Sequence, residues 1–132
     1  EKKPGVEETL RFLRAKGIKT AVATATALDI TKSHLTTIGV CDLFDSIVSA
    51  KNVAHGKPEP DVYLYACEQI GERPQDCMAV EDSPNGIMAA YRAGLRTVMV
   101  PDLTQPDEEL TKYLYACVNS LSDLCELVDK ED

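Results

Sequence analysis

Four times along this chain, a segment with helical spacing of its apolar residues runs into a glycine and is followed by a short strand-like run. The segment 6-VEETLRFLRAK-16 meets Gly17 before 18-IKTAVAT-24, and 27-ALDITKSHLTTI-38 meets Gly39 ahead of 46-SIVS-49. Farther on, 60-PDVYLYACEQI-70 meets Gly71 before 77-CMAVE-81, and 84-PNGIMAAYRA-93 meets Gly94 before 96-RTVMV-100. A glycine just past a helix adopts the left-handed conformation that ends it. Strands separated by whole helices cannot pair as hairpins, so they form a parallel sheet covered on both faces. The expected fold is a three-layer, Rossmann-like α/β domain. Pro60 and Pro84 read as first helical residues, residues 101–109 as a loop, 116-ACV-118 as a last edge strand, and 123-DLCELVDK-130 as a final helix capped by Ser122.

The 132 residues amount to one domain, 1–132. No apolar run reaches the length of a membrane span, and the leading residues do not read as a signal peptide. The five cysteines are scattered without a CxxC pair, which suits a thiol-reduced, cytoplasmic setting and offers no zinc-ligand spacing. With 22 acidic against 14 basic residues and a net charge of −8, the chain lacks the basic footprint that nucleic acid requires. An acidic protein that handles phosphate must bring positive charge to it locally, from a lysine, helix N-termini or a metal ion.

In open parallel sheets, ligands bind beyond the carboxyl ends of the strands. Past the first expected strand stands Thr24, past the second, after a loop, Lys57, and past the third the pair Glu81 and Asp82. Each has a plainer reading. Thr24 suits a strand, with Thr26 or Asp29 capping the next helix; Lys57 is a loop lysine; Asp82-Ser83-Pro84 is a helix start with Ser83 as N-cap. That start does not account for Glu81, since adjacent carboxylates at a protected edge repel each other unless a cation offsets them. Mg²⁺ suits an all-oxygen site that also keeps waters and a phosphate oxygen. A hydroxyl, an ammonium and a metal are what phosphoryl transfer asks of a protein. No Ser-His or Cys-His nucleophile accompanies them. His34, inside a helix, and His55, near Lys57, read as surface residues.

The segments 21-AVATAT-26, 56-GKPEPDVY-63 and 80-VEDSPNGIMAA-90, in that order, together with the opening 4-PGVEETLRFLRAKGIK-19, resemble the haloacid dehalogenase (HAD) superfamily, in particular its β-phosphoglucomutase-like phosphatases and phosphomutases. The resemblance covers essentially the whole chain. It implies that Thr24, with the backbone N–H of Ala25, binds the phosphoryl group, that Lys57 binds the phosphoryl group and the nucleophile, and that Glu81 and Asp82 hold Mg²⁺. The implied substrate is a small phosphorylated metabolite such as a sugar phosphate, turned over through an aspartyl-phosphate intermediate.

The family's first motif, Asp-x-Asp, is absent from this sequence. Its first aspartate is the nucleophile and its second the general acid/base, on a strand upstream of a helical cap domain. The expectation is that this chain is the C-terminal core of such an enzyme, inactive and poorly stable alone. The absent strand belongs between those carrying Thr24 and Glu81. Two other readings are a receiver domain, which the order of motifs opposes, and a non-catalytic HAD-like binding domain. The oligomeric state is not legible in the sequence.

Overall fold

The computed structural model describes residues 6–100, 108–118 and 121–131. In chain order the elements are α1 (Val6–Ala15), β1 (Ala21–Thr24), α2 (Leu28–Thr37), β2 (Ser46–Ser49), α3 (Asp61–Ile70), β3 (Met78–Glu81), α4 (Pro84–Ala93), β4 (Arg96–Met99), α5 (Glu108–Thr111), β5 (Ala116–Cys117) and α6 (Leu121–Glu131). The alternation reads out as expected, and the strand pairs among the described residues are parallel. Gly17, Gly39, Gly71 and Gly94 all have positive φ, between 70° and 94°, and end the helices before them. Among the described residues no helix is long and apolar enough to cross a membrane.

Several boundaries differ from expectation for local reasons. β1 begins at Ala21 rather than Ile18, because the Ile18 N–H closes α1 onto Leu13; the Thr20 carbonyl then accepts from Asp45 and from Ser46, where pairing with β2 begins. Pro60 is the N-cap of α3 rather than its first residue. Ala27, not Thr26 or Asp29, is the N-cap of α2, and no side chain caps it. The last helix starts at Leu121, so Ser122 falls inside it. Residues 101–107 of the expected loop lie outside the described residues.

Among the described residues the strands form two sheets, β1-β2 and β3-β4-β5, that are not hydrogen-bonded to each other. Thr24 pairs with Ser49 in the first sheet, and Glu81 pairs with Met99 in the second. Helix α3 packs on β1, β2 and α4, while α4 covers β3 and β4, so these two helices bridge the sheets; α1 and α6 form another pair. The core is the seam under α3 and α4: Val48, Val62, Ala66, Cys67, Ala79, Ala89, Ala90 and Leu95 are buried together. Alanines on α4 let it approach the sheet closely, and burial of this apolar surface is the main stabilising term.

Between β1 and β3 runs a cavity of about 870 Å³, walled by Ala21, Val22 and Ala23 on one side and Met78, Ala79 and Val80 on the other. Leu10 and Leu13 of α1, Leu124 of α6, and Tyr63 and Cys67 of α3 close it above and below. The burial of the strands follows this slot. All four residues of β1 are only partly buried and Val80 is 39% exposed, whereas Thr97, Val98 and Met99 of β4 are buried. The chain thus has the layers of a doubly covered parallel sheet, with its two sheet pieces separated by this cavity.

Candidate active site

The carboxyl ends of β1 and β3 are held together by one side chain. Lys57, on the loop between β2 and α3, sends its Nζ between the sheets, donating to the Ala23 carbonyl at 3.3 Å and to Glu81 Oε2 at 2.6 Å. The Lys57 side chain is 19% exposed and that of Glu81 only 9%, so the pair lies mostly out of water, where Coulombic attraction is strong. The loop is itself pinned. Arg92 of α4 donates to the Pro58 carbonyl and pairs with Glu59, and the His55 N–H donates to Asp61 in the first turn of α3. The Lys57–Pro58 peptide bond is cis.

Tyr63, from the first turn of α3, reaches the same carboxylate. Its hydroxyl donates to Glu81 Oε2, and its ring centroid lies 5.3 Å from the Lys57 ammonium. Burial, then the Glu81 charge and hydrogen bond, then the Asp82 charge hold the Tyr63 phenol well above its usual range, so it remains a donor. Beyond Glu81 the chain turns into α4. Ser83 is the N-cap, accepting the Gly86 N–H at 3.2 Å, and Pro84 opens the helix, both as expected. Asp82 is exposed at this turn.

Thr24 ends β1 beside the carbonyl that Lys57 binds, and its Oγ1 accepts the Thr26 N–H at 3.1 Å. Ala25 is exposed in the turn that follows. Ser49, at the end of β2 and fully buried, fastens that turn: its hydroxyl donates to the Thr26 carbonyl at 2.7 Å and accepts from Lys51 at 3.1 Å. Of the residues singled out in the sequence, Lys57 and Glu81 are in direct contact. Thr24 and Asp82 flank them, and Ala25 lies at the rim. His34 is exposed, and His55 is a loop residue, 72% exposed at its side chain, facing Asp61. Sequence reasoning passed over Ser49, Tyr63 and Gly86. The signal for Tyr63 was its place in the first turn of a helix that starts just past Lys57.

The donor set is compatible with a hard divalent cation: adjacent carboxylates, one of them sheltered, with hydroxyl and carbonyl oxygens nearby. Among the described residues no cluster of three or more His, Cys, Asp or Glu side chains could hold a metal alone. Mg²⁺ commonly takes one or two carboxylates and completes its shell with water and phosphate oxygens.

The lysine precedes the paired acids along the chain, the reverse of the order in receiver domains. Residues 1–94 match the family model for haloacid dehalogenase-like hydrolases, and the chain belongs to that family. It is 33% identical over 128 residues to hexitol phosphatase B of Escherichia coli (strain K12), covering 97% of this chain and 56% of that protein. It also superposes on CbbY from Rhodobacter sphaeroides in complex with phosphate (TM-score 0.82, 32% identity, 92% of this chain and 55% of that one). The β-phosphoglucomutase of Clostridium difficile is similar as well (TM-score 0.79, 27% identity, 96% of this chain and 54% of that one). The chain therefore spans little more than half the length of these relatives.

Proposed function

We propose that the protein is a Mg²⁺-dependent phosphohydrolase acting on a small phosphorylated metabolite, a sugar phosphate in the first instance. The observation that carries this reading is the Lys57 ammonium joining the ends of β1 and β3 beside the Glu81-Asp82 pair. In an acidic chain, this is where a phosphoryl group finds local positive charge. Glu81 and Asp82 would hold Mg²⁺, which supplies charge neutralisation at the phosphoryl oxygens. Thr24, whose oxygen already accepts the Thr26 N–H, has its own proton left to donate to a phosphoryl oxygen, with the Ala25 N–H beside it. Lys57 neutralises both the phosphoryl group and an attacking carboxylate.

That carboxylate belongs, in this reading, to a further strand lying in the slot between β1 and β3. It attacks phosphorus in line, forming an aspartyl phosphate and releasing the alcohol, which takes a proton from a neighbouring acid; water then cleaves the acyl phosphate. Sugar phosphates are favoured because the relatives include hexitol phosphatase B. The second reading is a phosphosugar mutase, favoured by the likeness to a β-phosphoglucomutase. It differs only in returning the phosphoryl group to a sugar hydroxyl rather than to water.

The test is phosphate release from a panel of sugar phosphates by the full-length protein, with Mg²⁺ and with a chelator. Mg²⁺-dependent release that falls at least 100-fold, about 2.7 kcal/mol, in Asp82→Ala supports the reading. Undiminished Mg²⁺-dependent release in that variant overturns it. Isomerised sugar phosphate in place of free phosphate selects the mutase.

A further inference from the structure

Gly86 poses a question the backbone does not answer. It is buried in the first turn of α4 without positive φ, so alanine would suit the helix better there. The reason for glycine lies across the turn: a Cβ at position 86 would overlap the carboxylate of Glu81, both oxygens included. Tyr63 holds the same carboxylate, donating to Oε2 while its ring faces the Lys57 ammonium bound to the same oxygen. Three elements thus converge on one side chain: the loop before α3, α3 itself, and α4. A carboxylate contacted by three elements has few rotamers left and is held before anything binds to it.

We propose that Tyr63 and Gly86 are positioning residues that set the direction of the Glu81 carboxylate, Tyr63 by donating to Oε2 and Gly86 by leaving the space the carboxylate occupies. This rests on the reading of Glu81 as a metal-holding acid. Partners that orient a metal ligand commonly matter about 10- to 100-fold in metal affinity or activity when removed. Tyr63→Phe keeps the ring under Lys57 and removes only the donor. Gly86→Ala adds only the intruding methyl group. Glu81→Asp shortens the acid by one methylene and withdraws its carboxylate from that methyl, so it should relieve Gly86→Ala.

The experiment is calorimetric Mg²⁺ titration of the full-length protein without substrate, alongside kcat, KM and the thermal midpoint, for Tyr63→Phe, Gly86→Ala, Glu81→Asp, the double variant Gly86→Ala/Glu81→Asp, and Asp82→Ala as reference. The expected result is Mg²⁺ affinity about tenfold weaker in Tyr63→Phe and in Gly86→Ala, with kcat falling more than KM rises. The double variant should bind Mg²⁺ more tightly than Gly86→Ala alone. Affinity within twofold of wild type in both single variants, with Asp82→Ala abolishing binding, overturns the positioning role and leaves the metal reading standing. Lowered thermal midpoints with unchanged Mg²⁺ affinity show a structural role only and overturn it as well. Unchanged Mg²⁺ binding in Asp82→Ala removes the metal reading and this proposal with it.

Discussion

Lys57 is the residue on which the two sheet pieces meet, so its removal should be felt in both stability and turnover. With Glu81 only 9% exposed at its side chain, Lys57→Ala leaves a sheltered carboxylate without its cation. The expected cost is about 3 kcal/mol, read by denaturant unfolding. Turnover by the full-length protein should fall about 10²- to 10³-fold, as when a donor to a developing charge is deleted elsewhere. A second residue-scale prediction concerns Cys67, whose thiol is pushed from 9.0 up to about 12, first by burial and then by its hydrogen bond to Cys77. The folded state therefore keeps a proton that the unfolded chain releases near pH 9. The stabilisation is complete below that pH and is lost as pH rises toward 12. The stability difference between wild type and Cys67→Ala should shrink steadily above pH 9; a constant difference would contradict the assignment. Thr24, Lys57, Glu81 and Asp82 could be singled out from linear order, because Thr24 and Glu81 end strands, Asp82 follows one and Lys57 lies on the loop after β2. Tyr63, Ser49 and Gly86 were not, because their meaning lies in contacts across elements, such as the fit of Gly86 against Glu81.

At the scale of elements, α4 shows why type and order were easier to read than ends. Its start has a hydroxyl cap and a proline, and its end a glycine at φ 94°, so both boundaries were written in residue chemistry. Ser83→Ala should cost about 1 kcal/mol, and Gly94→Ala about 1–2 kcal/mol for forcing a side chain into the left-handed region. Urea midpoints measure both, and a Gly94→Ala variant as stable as wild type would refute the second. Where chemistry gave no local signal, tertiary pairing decided. Ile18–Thr20 lie in a strand-like run, yet pairing with β2 begins only at Ala21, opposite Ser46, so β1 starts there. Ser122 looked like a cap, but its helix begins at Leu121.

For the whole molecule, the question is why a parallel sheet should be divided. An isolated strand edge offers a row of backbone donors and acceptors, and here β1 and β3 offer two such edges across one slot. Lys57 spans the mouth of the slot, and apolar side chains of α1, α3 and α6 roof and floor it. The partial exposure of every β1 residue and of Val80 is what a central strand shows when a neighbour is lacking. A further strand between them would satisfy both edges, bury Val80 and bring its carboxyl end to Lys57. The 132-residue polypeptide should therefore show no phosphate release, and hydrogen exchange should be fast in β1 and β3 but slow in β4, whose Thr97, Val98 and Met99 are buried. In a longer polypeptide that supplies the strand, protection should rise most at the amides of β1 and β3. Equal exchange of those amides in the two polypeptides would mean that nothing enters the slot, and the source of the nucleophile would have to be sought elsewhere.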